Sequence, residues 1–294
     1  MKTEVKKLDS TKREVNIAVN GEIVKNKFDE VFKKVGQEAK VPGFRPGHAP
    51  RQILEKHFSS EIERRVIEEL IPDVYAQAVR EERLEVVDLP SISEVKLERG
   101  SNNLSFKATL EVRPEIKLGN YKGIRVNYKK IEAPPDEIKR HMDALKECAK
   151  IDTLDDRFAR GLGYPGLSEL EEAVEKQILI QKDNAQRNKV ENEIVSSITK
   201  DLDFKLPQSL VNRQLEDLVK QAKIDLALKG MPREEIDSRE KTLFSELEPE
   251  AKRQIKVYLV LSEIAKKENI SLDDQMPHRV MEFLLREADW QETN

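Results

Sequence analysis

Ten residues of this 294-residue chain, 41–50 (VPGFRPGHAP), place an aromatic side chain and a cation among three prolines and two glycines. Proline fixes φ and glycine permits turns that other residues resist, so the stretch is typical of a stiff, shaped loop, here called the tip. Arg45 could donate paired hydrogen bonds to a carboxylate or a phosphate, and Phe44 could fill an apolar depression on a partner. The alternative is a tight interhelical turn whose Phe44 folds back into the core.

Residue patterns that carry catalysis or metal binding are missing elsewhere in the sequence. The four histidines, His48, His57, His141 and His278, are scattered, without a cysteine or paired carboxylates at ligand spacing. No glycine-rich phosphate loop, nucleophile elbow or kinase motif occurs. The sequence therefore predicts no catalytic residue, no metal and no cofactor, and it favours a protein that is not an enzyme.

Composition limits the class of protein further. Charged residues make up 37% and hydrophobic residues 38%, with a mean hydropathy of −0.65, which favours long solvated helices over a compact globule. The first sixty residues carry 13 basic and 8 acidic side chains on a chain of net charge −4, so this end suits an anionic partner. A single cysteine, Cys148, and the lack of an apolar leader or an 18-residue apolar run predict a cytoplasmic protein without a membrane span.

The tip is predicted to lie between two helices of an α+β domain. A helical stripe precedes it from Val24 to Ala39, and Pro50 suits the first turn of the helix that follows. A capping box at Ser60 and Glu63 predicts the start of a long helix, which Pro72 should kink. Strands are predicted from alternation; their residues are Val15, Ile17 and Val19, then 92–97, then 104–112. The fold class is an antiparallel sheet with long helices and an exposed interhelical tip, over 1–115.

The rest of the chain is predicted to be a linker followed by an extended all-α domain with arms. Residues 116–152 form the linker, with a strand around Val126 and a helix beginning after Pro134-Pro135. From residue 153 to 294 every strong signal is helical. A second capping box, Ser168 with Glu171, should open a helix to about Lys200, and Pro207 and Pro277 should open two others.

These helices carry thin apolar stripes among polar neighbours, and such stripes either close a bundle core or stay open for a partner. If the region shelters unfolded chains, several of its apolar side chains must face solvent. The candidates for binding such client chains are Leu210, Leu218, Met231, Met281 and Leu285. The ordinary alternative is that they pack a conventional bundle.

The segment Gly43-Phe44-Arg45-x-Gly47-x-x-Pro50 resembles the ribosome-docking signature of the trigger factor family of bacterial chaperones. The segments Leu154-Asp155-Asp156-Arg157-Phe158-Ala159 and Lys205-Leu206-Pro207 resemble that family's C-terminal helical domain. The resemblance thus covers nearly the whole chain. His48 departs from the family pattern, which commonly has lysine there. The ribosome-binding residues implied are Gly43, Phe44, Arg45, Pro46, Gly47 and His48.

A second departure concerns a whole domain. The family normally carries a prolyl isomerase domain of the FK506-binding type between the linker helix and the LDD-x-FA segment, but here Ala149 to Asp152 runs directly into Thr153. We therefore expect no isomerase activity.

The resemblance implies an ATP-independent chaperone that docks at the ribosomal exit tunnel and shelters hydrophobic segments of nascent chains. Its implied partners are a large-subunit ribosomal protein, nearby ribosomal RNA, unfolded nascent polypeptides and, when free, a second copy of the chain. The alternative function is a helical scaffold or assembly adaptor that uses the tip on another acidic partner.

Overall fold

The computed structural model describes residues 1–38, 44, 48, 50–98, 102–151 and 153–292. In chain order the strands and helices of these residues are β1 (Lys2–Lys7), β2 (Lys12–Asn20), α1 (Glu22–Glu38), α2 (Arg51–Glu81), β3 (Ser91–Glu98), β4 (Asn103–Glu111), β5 (Arg125–Tyr128), α3 (Pro135–Ala149), α4 (Asp156–Gly161), α5 (Leu167–Lys200), α6 (Gln208–Leu228), α7 (Arg233–Ser238), α8 (Glu240–Lys267), α9 (Met276–Arg286) and β6 (Asp289–Glu292). The predicted fold class is confirmed, because an antiparallel sheet with helices is followed by a largely helical chain. No helix of the described ranges is long and apolar enough to cross a membrane.

The chain divides into two compact units, and the first contains residues 1–115 together with 204–255. Its sheet has the strand order β1-β2-β4-β3, with every neighbouring pair antiparallel. Val15 pairs with Ala108 and Ile17 with Phe106, and because paired residues share a face, these alternating apolar side chains form one continuous surface. Helices α1 and α2 bury their stripes in the same core, which includes Phe28, Val31, Val66 and Leu70.

The second unit contains residues 116–203 and 256–294. Helices α3, α4 and α5 meet at a small apolar cluster whose buried members are Met142, Ala159 and Leu170. Strand β5 pairs in parallel with β6, so the segment around Val126 joins the far end of the chain. The units differ from the three predicted segments in that 204–255 groups with the first 115 residues. The functional division at 115 and 152 stays a prediction.

The two predicted capping boxes lie within two residues of helix starts. Helix α2 begins at Arg51, but its backbone leaves helical geometry at Phe58 (φ −124°, ψ 17°), so two helices join there and the second begins next to Ser60. Helix α5 begins at Leu167, one residue before Ser168, and the Leu167 amide donates to Asp156 Oδ1 at 2.9 Å. A side chain from α4 therefore serves one of the amide groups that have no partner within α5 at its start.

Two strands have too weak a pattern to be predicted. Strand β1 (KTEVKK) has one apolar residue among lysines, a composition suited to a charged sheet edge. Strand β6 (DWQE) is four residues long and fully exposed, so the prediction that every element after residue 153 is helical is wrong there.

Candidate functional site

The described residues of the tip are exposed. The Phe44 side chain is 41% exposed and His48 is also exposed, so the interpretation in which Phe44 folds back into the core is wrong. An exposed phenylalanine beside turn-forming residues is typical of a contact site. Gly43, Arg45, Pro46 and Gly47 lie outside the described residues, and their roles stay predictions.

The first turns of α2 run parallel to α1 rather than away from it. Arg51 Nη1 donates to Asp29 Oδ1 at 2.6 Å, and its guanidinium lies 4.3 Å from the centre of the Phe32 ring. Three residues later, Leu54 packs beside Gly36, where a Cβ on the glycine would meet Leu54 Cδ1 at 3.2 Å. Moving forward along α2 therefore means moving forward along α1 as well.

Beyond the break at Phe58, α2 turns and runs antiparallel to α1. Arg65 donates to Glu38 Oε2 at 2.8 Å, and Lys34 donates to Glu69 Oε2 at 2.9 Å. Going forward from 65 to 69 along α2 thus means going back from 38 to 34 along α1. Sequence periodicity missed this reversal because the buried Leu54 and Ile62, on either side of Phe58, belong to the same core.

The twelve residues between α1 and α2 contain the tip, and an arginine ion pair holds the residue on each side of them. Arg65 binds Glu38, the last residue of α1, and Arg51 is itself the first residue of α2. The hydrogen bond to Asp29, ahead of the opposing desolvation, raises the pKa of Arg51, and the bond to Glu38 likewise raises the pKa of Arg65. Both side chains therefore stay charged at any pH that the protein tolerates.

A groove of about 490 Å³ lies along the parallel contact between α1 and the start of α2. Phe32 and Leu54 give it apolar walls, while Lys33, Gln37 and Arg51 supply polar groups. The unit can therefore present to a partner an exposed aromatic ring and a groove in which Lys33 and Arg51 lie together with Asp29. This arrangement suits non-covalent recognition of a surface with acidic groups.

The predicted client-binding side chains are neither fully buried nor among the exposed large apolar residues. All five, Leu210, Leu218, Met231, Met281 and Leu285, are half-buried. On α6 the buried face is formed by Val211, Leu215 and Val219 instead. Whether the five candidates bind a client is a matter for proposal.

Two apolar residues that the sequence reading missed are more exposed than those five. Ile224 is 46% and Leu228 81% exposed. They extend the stripe of Leu210, Leu218 and Gln221 at spacings of three and four residues, so they lie on the same side of α6. The signal that could have found them is this spacing, followed to the end of the helix.

Side chains of the N-terminal sheet fix the start of α6 within the first unit. Ser209, in the first turn, donates through its amide and its hydroxyl to Glu111 Oε2 at 2.8 and 2.6 Å. Lys205 donates to Asp9 Oδ2 at 2.6 Å. The Lys205 ammonium, followed by the Thr11 amide, holds the pKa of the Asp9 carboxyl well below its usual value.

The segment around residues 149–159 connects α3 to α4 and α5 within the second unit. Lys150 ends α3 in a left-handed conformation (φ 54°, ψ 44°), and Asp155 caps α4 by accepting from the Phe158 amide at 2.8 Å. Asp156 then accepts from the Leu167 amide at the start of α5. The LDD-x-FA segment is thus a local joint, with one aspartate for each of two helix starts.

Metal chemistry has no support in the described ranges, where no three His, Cys, Asp or Glu residues gather as potential ligands. His278 lies 3.3 Å from Glu282 on its own helix.

Two family models match the chain. The model described as "Bacterial trigger factor protein (TF)" matches residues 1–145, and that described as "Bacterial trigger factor protein (TF) C-terminus" matches residues 166–292. Together they cover nearly the whole chain. The twenty residues left between them are far fewer than a folded domain needs.

Individual relatives agree with the family models. A trigger factor of Carboxydothermus hydrogenoformans is 26% identical over 94% of this chain and 88% of its own length, and one of Halothermothrix orenii is 23% identical over 97% and 91%. The first alignment spans 378 positions against 294 residues here, so more than eighty positions have no counterpart in this chain. A solved structure titled "Promiscuous Substrate Recognition in Folding and Assembly Activities of the Trigger Factor Chaperone" shares the fold, with a TM-score of 0.54 and 14% identity over 96% of this chain and 93% of the other.

Proposed function

Because the chain belongs to the bacterial trigger factor family, we propose that it is an ATP-independent chaperone that docks on the ribosome through the tip and shelters hydrophobic segments of nascent chains. The family match supports a chaperone over the alternative, a helical scaffold or assembly adaptor. The observation that carries the docking proposal is the exposure of Phe44 at the centre of the segment that resembles the family's signature.

Docking joins an aromatic anchor to charge-assisted hydrogen bonds. Phe44 fills an apolar depression on a large-subunit protein at the exit tunnel, and Arg45 donates to a carboxylate there or to a phosphate of nearby ribosomal RNA. Gly43, Pro46 and Gly47 belong to the same family-like signature, in which glycine permits and proline restricts backbone turns. His48 stands where the family commonly has lysine, so this contact carries less positive charge near neutral pH.

Clients are held on the helical part of the chain by weak contacts at many points. The half-buried Leu210, Leu218, Met231, Met281 and Leu285 each offer part of their apolar surface, and flexible methionines adapt to varied sequences. Ile224 and Leu228 add the most accessible apolar surface on α6. Release then needs no nucleotide, since each contact is weak.

The chain acts without prolyl isomerase activity. Lowering the isomerisation barrier of about 20 kcal/mol requires a preorganised apolar pocket. The chain passes from the end of α3 to α4 within six residues, 150–155, which leaves no length for the β-rich domain that supplies such a pocket in the family. The protein works in the cytoplasm, where chains leave the ribosome, and pairs with a second copy when it is free.

The experiment that tests docking is co-sedimentation with purified ribosomes at fixed salt. Replacing Phe44 and Arg45 together by alanine should weaken binding at least about tenfold, or roughly 1.4 kcal/mol, if both are interface anchors. The circular dichroism spectrum should not change, because Phe44 is not part of the core. Ribosome binding that survives both substitutions would reject the assignment and favour the scaffold alternative.

A further inference from the structure

We propose that Arg51 is a positioning residue for ribosome docking: it fixes the place on α1 to which the chain returns after the tip. The inference rests on the proposed function, but it concerns a residue outside the family-like signature. It follows from the parallel contact between α1 and the start of α2.

The residues on the two sides of the tip are anchored at different points along α1. The residue before the connecting segment, Glu38, is held by Arg65, and the residue after it, Arg51, is held by Asp29. Nine residues of helix separate Asp29 from Glu38, which is about 13 Å at 1.5 Å per residue. The two ends of the connection are therefore fixed at separate points along α1 rather than closed into a tight turn.

Several contacts hold the Arg51 side chain in place. It makes three different contacts: an ion pair with Asp29 at 2.6 Å, a second with Glu55 at 3.1 Å, and stacking on Phe32 at 4.3 Å. The planar guanidinium suits this set because its face can lie on a ring while its edge donates hydrogen bonds. Phe32 belongs to the buried core, so the contact ties the end of the tip to the rigid part of the unit.

Arg51 contributes little to the overall stability of the fold. Its side chain is 56% exposed and that of Asp29 38% exposed, and ion pairs so open to water contribute little to folding. Leu54, 4% exposed and packed against Gly36, already holds the start of α2 in the core. Arg51 thus fixes the orientation of the start of α2, while Leu54 provides its burial in the core. A binding loop whose end is fixed in this way loses less freedom when it binds.

A charge swap separates positioning from direct contact with the ribosome. Arg51→Asp places a carboxylate beside Asp29 and Glu55, so it should lower ribosome affinity about tenfold, through a tip that is no longer preorganised. The double variant Arg51→Asp/Asp29→Arg recreates the ion pair in reverse and should restore affinity to within about threefold. If Arg51 instead touches the ribosome itself, the swap will not restore binding, and the positioning role is wrong.

Arg64→Asp is the matched control. Arg64 lies on the same helix, and its side chain is 69% exposed and 3.8 Å from Glu68. The substitution changes the net charge by the same amount as Arg51→Asp. It should alter binding by less than about threefold at physiological salt, because screening weakens charges that are not at the interface. An equal loss in Arg64→Asp and Arg51→Asp would reduce the effect to general electrostatics and overturn the proposal.

Two further variants keep the outcomes distinct. Arg51→Gln removes the charge without adding repulsion; it should weaken binding less than Arg51→Asp with an unchanged unfolding midpoint, and full affinity in this variant would contradict the proposal even if Arg51→Asp failed to fold. The double alanine variant of Phe44 and Arg45 is measured in parallel. If it binds normally, the docking function fails; if it loses binding while Arg51→Asp keeps it, the positioning role alone fails.

Discussion

Helices α1 and α6 both carry apolar residues at helical spacing, yet the structure uses them differently. On α1 the apolar residues other than Ile23, which is 46% exposed in the first turn, form one face that is buried against the sheet and α2: Val24, Phe28, Val31, Phe32 and Val35. On α6 they form two faces. The face of Val211, Leu215 and Val219 is buried, while the face that contains Leu218 and Leu228 ranges from half-buried to exposed.

The difference shows what periodicity can establish. A stripe at spacings of three and four residues indicates a helix and one apolar face, but it does not say whether another element covers that face. Helix α1 has a single such face and a sheet to cover it. Helix α6 has more apolar surface than its neighbours cover, which is the property that a client-binding helix needs.

The largest effect is expected from removing a side chain of the covered face on α1. Phe28 is 5% exposed and lies 6.4 Å from the Phe32 ring, so Phe28→Ala leaves a cavity in the core. We expect a loss of about 3–5 kcal/mol in the free energy of unfolding, measured by urea denaturation. Leu215→Ala, on the buried face of α6, should also be costly, at about 2–5 kcal/mol. If Phe28→Ala had no measurable cost, α1 would have no covered face and the contrast would disappear.

The sequence predicted those elements whose residue pattern is typical of a single kind of secondary structure. Alternation at Val15, Ile17 and Val19 requires a half-buried strand, and Pro207 just before α6 marks a helix start. The Ser168 capping box placed the start of α5 after its first residue, Leu167, because the Leu167 amide is served by Asp156, a tertiary contact that local spacing does not contain. Strand β6 was not predicted, because it forms only by pairing with residues 125–128, far away in sequence.

The candidate site was predictable in identity but not in geometry. The residue types of the tip, with Phe44 and Arg45 between prolines and glycines, indicated a contact loop. Nothing in the sequence showed that the chain returns along α1 to place Arg51 on Phe32, since that depends on the backbone break at Phe58.

A smaller effect is expected where α6 begins. Asp9 binds Lys205, and this contact lowers the pKa of its carboxyl in the folded protein. A carboxyl whose folded pKa is depressed stabilises the fold above its unfolded pKa, about 3.9, and loses that contribution as pH falls toward the folded value. The difference in urea midpoint between the wild type and Asp9→Asn should therefore be largest near pH 6 and shrink as pH falls below 4.

The control for that measurement is the same Asp9→Asn substitution in a Lys205→Ala background, because that background lacks the contact between Lys205 and Asp9 Oδ2. There the difference in midpoint should depend less on pH. A pH-independent difference for Asp9→Asn in the wild-type background would mean that the Lys205 contact is too weak in solution to anchor α6.

The smallest effect on stability is expected at the uncovered end of α6, where the effect on function should be clear. Leu228 is 81% exposed and Ile224 46% exposed. The double variant Ile224→Ala/Leu228→Ala should therefore change the free energy of unfolding by no more than about 0.5 kcal/mol. Client binding depends on accessible apolar area, at about 25 cal/mol per Å², so the same variant should suppress aggregation of an unfolded protein less well.

A second double variant, at half-buried residues, gives the matched comparison: Leu210 lies in the first unit and Met281 in the second. Leu210→Ala with Met281→Ala removes apolar surface that is only partly accessible, so we expect a modest loss of stability together with a weaker loss of holding. Ribosome binding should be normal in both double variants, because neither touches the tip. If Ile224→Ala/Leu228→Ala held clients as well as the wild type while Leu210→Ala/Met281→Ala did not, the client surface would follow the half-buried stripe, and exposure on α6 would not mark it.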